Sequence, residues 1–186
     1  VAGQPARLLC HVKFIIMPAP IATSLTAILA AVKTQLQTVT DLPVNLIRIV
    51  ARGQTPRFQG DQDILLRPGD VSWDKGFDSG SGRVCAIIRR PLLVHIRTRF
   101  DVDMSDQDDS RLLDATYGHI PLEETVCNAL LDFLPADDSS NLLTQEPMHP
   151  IDYPAEEKQE GQASAWIESR LAFQLTYQLP LNPQSE

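Results

Sequence analysis

Residues 165–179 alternate without a break. Ala165, Ile167, Ser169, Leu171, Phe173, Leu175, Tyr177 and Leu179 form one set, and Trp166, Glu168, Arg170, Gln174, Thr176 and Gln178 fill the other. A period of two held over fifteen residues matches a β-strand and no helix, so a long strand with one buried face is required. The rest of the chain must supply partners and a cover for it.

A helical stripe provides the cover. Ile21, Leu25, Ile28, Leu29, Val32, Leu36 and Val39 recur at steps of three and four, after Pro18 and Pro20 and before Asp41-Leu-Pro43. A strand is expected at Leu46–Arg52, with Ile47, Ile49 and Ala51 on one face and Arg48, Val50 and Arg52 on the other. Residues 53–82 are rich in Gly, Pro, Asp and Ser. They predict an extended hairpin or a working loop, with a short strand at Ile64–Arg67 closed by a Pro68-Gly69 turn. Strand patterns return at Val84–Arg90 and Leu92–Asp103, where His95 falls on the polar side. Pro91 between them predicts a kink or an edge position.

Asp106–Tyr117 and Leu122–Leu134 read as helices divided or kinked by Gly118 and Pro121, with Ser105 or Asp106 capping the first. Leu122, Val126, Ala129, Leu130 and Phe133 are the expected buried stripe of the second. Leu142–Tyr153, with its prolines, predicts an edge strand, and Ala155–Ser164 an acidic loop. Strands grouped together, rather than alternating with helices, imply an α+β fold: a mixed or antiparallel sheet with helices packed on one face.

Composition bounds the rest. The chain has 186 residues, sixteen basic and twenty-four acidic, for a net charge of −8, and is 43% hydrophobic and 22% charged. That suits one globular domain, not a disordered or collagen-like chain. Clustered cations are what phosphate binding needs, so a net acidic chain is not expected to be a sequence-specific nucleic-acid binder. Cys10, Cys85 and Cys127 have no CxxC or Cys/His spacing, which predicts free thiols, a reducing cytoplasm and no zinc or other metal. No apolar run reaches the roughly 18–20 residues of a membrane span, so no membrane partner is expected. The Leu8–Ile16 run is interrupted by His11 and Lys13 and has no cleavage site after it. Residues 1–16 are read as an upstream extension, with 17–186 a single domain carrying the long loop at 53–82.

Chemical motifs are sparse. Asp78-Ser79-Gly80-Ser81 matches the aspartic-protease tetrad. That chemistry needs a second carboxylate and an apolar strand leading into the Asp, whereas Trp73-Asp-Lys-Gly-Phe77 reads as turn-like. Asp101–Asp109 is dense in carboxylates, but an EF-hand loop starting at Asp101 would need Gly and Glu where Asp106 and Leu112 stand. His11, His95, His119 and His149 are dispersed and form no local nucleophile–base set. No cofactor and no enzymatic reaction are expected. Charge is distributed more tellingly. Residues 83–99 hold Arg83, Arg89, Arg90, Arg97 and Arg99 and no acid. Residues 101–124 hold Asp101, Asp103, Asp106, Asp108, Asp109, Asp114, Glu123 and Glu124 against Arg111 alone. Opposed patches of this kind suit either intramolecular pairing at solvated faces or a head-to-tail contact between identical subunits.

From about Ile21 to Leu181 the chain resembles the tail terminator (tail completion) proteins of long-tailed bacteriophages. The likeness lies in element order and a few stretches. They are the Ile21–Thr38 helix, the Arg48-Ile-Val-Ala-Arg52 strand, the loop-rich hairpin, and Leu92–Asp103 running into Asp106-Gln-Asp-Asp-Ser-Arg-Leu-Leu113. The Leu122–Leu130 helix and the Trp166–Leu179 strand complete them. The resemblance implies a structural virion subunit, assembled in the bacterial host cytoplasm into a homo-oligomeric ring, a hexamer. The ring would cap the tail tube, stop tail elongation and form the head–tail joining surface. Its partners would be itself, the tail tube protein and a head–tail connector protein. A connector or neck protein of the same plan is the alternative. On this reading Arg89, Arg90, Arg97, Arg99, Asp103, Asp106, Asp108 and Asp109 are subunit contacts. Trp73, Lys75, Phe77, Asp78 and Arg83 belong to the loop meeting tube or neck.

Overall fold

The structure is a computed structural model that describes residues 24–51, 53–54, 56–78, 84–99, 112–115, 118–153 and 166–180. The described residues open with helix α1, Leu25–Val39. Ser24 caps it, its hydroxyl accepting from the Ala27 N–H at 3.2 Å. At the other end the Thr40 hydroxyl donates to the Leu36 carbonyl at 2.7 Å, and Asp41, at φ 46°, takes the left-handed turn that ends the helix. A 3-10 turn at Val44–Leu46 leads to the short strand β1, Ile47–Ile49. Strands β2, Gln62–Pro68, β3, Ser72–Asp78, and β4, Val84–Arg99, follow. Helix α2 spans His119–Leu130, β5 is His149–Pro150, and β6 is Trp166–Pro180.

The six strands form one sheet in the order β1-β2-β4-β6-β5, with β3 also paired to β4. β1 runs parallel to β2 and every other pairing is antiparallel, so the sheet is mixed. β4 is the spine. Its sixteen residues extend roughly 50 Å at strand rise. β6 pairs with it from Trp166↔Arg99 to Pro180↔Cys85. β2 and β3 share its other edge end to end, β2 against Leu92–Thr98 and β3 against Val84–Arg89.

Their junction explains Pro91. Pro68 faces Leu92 and Ser72 faces Arg89, so one extra residue is taken up at 69–71 and the chain bulges without reversing. The Gly69 N–H donates to the Pro91 carbonyl at 2.7 Å. The missing Pro91 N–H therefore points at the bulge, where no ladder bond is lost. A Cβ on Gly69 would stand 2.6 Å from Pro91 Cγ, which is why glycine occupies the site. β4 itself runs on through Pro91, which stays in register with Gln174 of β6, and the irregularity lies in the facing chain at 69–71. The edge reading does not hold either, because β4 is central. Likewise 53–82 is not one long loop: it holds β2 and β3, and Pro68-Gly69 is a bulge where a closing turn was expected. The two strands expected at 84–90 and 92–103 are a single β4 as far as Arg99, and residues 100–103 lie outside the described residues.

The core lies between one sheet face and both helices. Ile28, Val32 and Leu36 of α1, and Leu122, Val126 and Leu130 of α2, close on Ile47, Ile64, Val94, Ile96, Phe173 and Leu175. The expected stripes of α1, α2 and β6 are buried at these positions, but Val39, expected in the α1 stripe, is 40% exposed, and Ile21 and Ala165 lie outside the described residues. Several bounds differ; α2, for one, ends at Leu130 where Leu134 was expected. α2 starts earlier, because Pro121 sits in its first turn, where no N–H is needed. β1 is three residues long, with Ile47 fully buried but Ile49 47% exposed at the open edge. Of 142–153 only His149–Pro150 pairs with β6, at an edge as expected. The expected helix over 106–117 and the loop over 155–164 lie largely outside the described residues.

Candidate functional site

The strands also have a face turned away from the helices. It is covered. Strand pairing places Asp63, Leu65 and Arg67 of β2, Leu93, His95 and Arg97 of β4, and Arg48 of β1 on this side. Asp63, Leu65, His95 and Arg97 are each at most 1% exposed. The cover over the charged groups of this face is formed by residues 53–54 and 56–58, and three arginines hold it by its backbone. Arg48 Nη1 donates to the Arg57 carbonyl at 3.0 Å, Arg67 Nη2 to that of Gln54 at 2.7 Å, and Arg97 Nη2 to that of Pro56 at 3.0 Å. Each comes from a different strand, so the segment is tied across the sheet.

Asp63 is the centre of this arrangement. Arg97 grips it as a fork, Nε to Oδ1 at 2.7 Å and Nη2 to Oδ2 at 2.5 Å, and Arg48 Nη2 also donates to Oδ2. A forked guanidinium–carboxylate pair is the geometry that best offsets burying both charges. Arg97 is also roofed by aromatics. Its guanidinium carbon lies 4.3 Å from the Phe58 ring centre and 5.8 Å from that of Trp166, and the two rings meet edge-on at 5.6 Å. Beside this cluster His95 Nδ1 donates to Glu168 Oε1 at 2.5 Å, and Arg170 Nε donates to the same oxygen at 3.1 Å. Burial works against the Glu168 charge. The hydrogen bonds from His95 and Arg170, and their charges, outweigh it and bring the carboxyl down to about 2.

A second polar chain crosses the helix face. Gln62 Nε2 donates to the Thr98 hydroxyl at 3.3 Å, and Ser169 donates to Glu123 Oε2. His119 bridges them, its Nδ1 2.8 Å from Thr98 Oγ1 and its Nε2 2.8 Å from Ser169 Oγ. The directions are self-consistent. With the Ser169 hydroxyl donating to the Glu123 carboxylate, a neutral His119 can donate from Nε2–H to Ser169 and accept at Nδ1 from Thr98. Burial pushes its pKa down, partly opposed by the Glu123 charge. The Ser169 hydroxyl is thus turned toward Glu123, not toward an imidazole base as a nucleophilic pair requires. The chain fastens the start of α2 to β4 and β6.

The residues proposed from sequence are dispersed by this geometry. Arg97 is 1% exposed, so it cannot meet another subunit; its partner is Asp63. Arg89 and Arg99 are exposed on β4, and Arg90 is half-buried. Trp73, Lys75, Phe77 and Asp78 belong to β3, not to a loop, and the lead-in to Asp78 is a strand, where the sequence suggested a turn. Arg83, Ser79-Gly80-Ser81, Asp103, Asp106, Asp108 and Asp109 lie outside the described residues. Among the described residues no group of His, Cys, Asp and Glu has a metal-binding arrangement, and no helix is long and apolar enough to cross a membrane. Cys127 is a free thiol on α2.

Sequence reasoning missed Asp63, Arg48, Phe58 and the His119 chain. The one available signal was the alternation of His95, Arg97 and Arg99 with apolar residues in β4. Arginines spaced along a strand fit a second covered face as well as a solvated one. Compared with known proteins, the chain matches no family model, and no curated protein matches it significantly.

Proposed function

We propose that this chain is a structural, ring-forming subunit of the tail-terminator type, which caps a phage tail tube, stops its elongation and offers a joining surface to the head. The observation that carries this reading is the architecture: a helix-backed sheet built on one continuous sixteen-residue strand. It fits the element order on which the family resemblance rests. The buried polar groups support it. Asp63 is spent on Arg48 and Arg97, Glu168 on His95 and Arg170, and His119 on Thr98 and Ser169. Such pairings fasten elements together. A subunit that must hold its shape in a ring under load needs that rigidity more than it needs reactive groups.

The test is assembly. The purified chain, alone and with a phage tail tube protein, is followed by size exclusion and negative-stain microscopy. Rings of uniform size, and tubes that stop growing once the chain is added, are the expected result. A chain that stays monomeric with tube protein present, while tubes elongate unchecked, overturns the reading. Rings that bind a portal ring and ignore tubes point instead to a connector of the same plan.

A further inference from the structure

A cavity of about 440 Å³ lies where the C-terminal end of α1 meets the start of α2. That volume is in the range of small-molecule pockets. Val39 and Leu42 line it from the α1 end, Leu122 and Thr125 from α2, and Gln62 from β2. Val39 belongs by period to the buried stripe of α1, yet it is 40% exposed. Gln62 is only 9% exposed and gives the cavity a buried polar wall. Asp41 is the single charged residue of the lining. It is a costly residue for its place on two counts. At φ 46° it holds the left-handed conformation that glycine takes at no steric cost. It also sets a negative charge just past a helix C-terminus, where the dipole favours a cation, and the last turn of α1 has no basic residue to offset it. Among the described residues, no hydrogen bond or ion pair engages its carboxylate.

We propose that this cavity is a binding site for a small organic cation, a primary amine or guanidine carried on an apolar body. The charged head sits between the Asp41 carboxylate and the last carbonyls of α1, which, as at any helix end, lack intrahelical donors. Both carry negative charge, so one cation offsets the two costs together. The body covers Val39, Leu42 and Leu122, and the Gln62 amide and Thr125 hydroxyl are placed for a polar substituent. A bare divalent ion is a poorer occupant. It takes roughly six or more oxygen ligands, against one carboxylate here, and it would leave the apolar wall uncovered. The site needs neither a neighbouring subunit nor a tube, so it stands apart from the ring reading.

The experiment is saturation-transfer NMR on the full chain with two probes of one shape. Phenethylamine is charged at neutral pH and phenethyl alcohol is not. The wild type is expected to bind the amine saturably and roughly fivefold more tightly than the alcohol, with the gap closing in high salt. Asp41→Asn, an exposed change that keeps the left-handed backbone accessible, should erase the preference and leave alcohol binding as it was. Val39→Trp, which fills the cavity, should abolish binding of both. Asp41→Gly should also erase the preference while raising the urea midpoint, because it relieves the backbone and the charge at the helix end. Circular dichroism verifies that each variant folds. Equal binding of the two probes by the wild type, no saturable binding of the amine, or a preference that survives Asp41→Asn overturns the proposal. So does a urea midpoint that falls in Asp41→Gly, since the carboxylate then serves the fold.

Discussion

The two faces of this sheet are buried by opposite means. On the helix side, Ile47, Ile64, Val94 and Ile96 pack against α1 and α2, a non-directional apolar contact. On the far side, Asp63 and Arg97 are equally buried, yet beneath residues 53–54 and 56–58, which are neither helix nor strand. A helix brings its own hydrogen bonds and needs only an apolar stripe. An irregular segment has bare carbonyls, so the face that covers it must present donors. The arginines of β1, β2 and β4 answer that need. The difference teaches that buried arginines can serve as a substitute for a missing layer of secondary structure.

The contrast breaks most visibly at Asp63. Asp63→Asn leaves Arg97 and Arg48 without their anion, and should cost about 3–5 kcal/mol in urea unfolding. A loss below about 1 kcal/mol would mean that the cluster is not a true anchor. Phe58→Ala comes next. It removes the roof over Arg97 and should cost roughly 2 kcal/mol, with faster amide exchange confined to 50–61. On the helix face Ile96→Val, one methylene removed from a fully buried side chain, should cost about 1 kcal/mol and leave exchange in 50–61 unchanged.

The smallest effects are those of pH, and they too divide by face. Glu168 has a folded pKa near 2 against an ordinary 4.5. Its contribution is complete above about pH 4.5 and is lost as pH falls from there toward 2. Glu168→Gln should flatten that stretch of the stability–pH curve. His119 is held neutral, its pKa below the usual 6.5. The unfolded chain takes up its proton first, so stability should begin to fall as pH drops below about 6.5. His119→Gln should remove this earlier decline and leave the one due to Glu168, as read from urea midpoints across the pH range.

The helix face was legible because apolar periodicity is local. Leu122, Val126 and Leu130 mark one side of α2 whatever α2 packs on, and Phe173, Leu175 and Tyr177 one side of β6. The arginine face was not legible in the same way. Arg97 and Asp63 stand 34 residues apart, and Asp63 sits in a stretch whose Gly and Pro content resembles a loop. A bulge at Gly69 and Pro91 keeps that stretch in the sheet, and a bulge is decided by the facing strand. His119 was visible as a residue but not as a bridge, since Thr98 and Ser169 reach it from two different strands.

What the sequence determined by itself is the α+β class, the long terminal strand, the two helices and their buried stripes. Each depends on a repeat of 2 or 3.6 residues that nearby atoms enforce. Tertiary structure alone decided that β2 and β3 share one edge of β4, that the polar side of the sheet is roofed, and which charges are spent inside and which face outward. Those outcomes depend on pairings between distant residues, because charge, unlike periodicity, has no meaning until its partner is known.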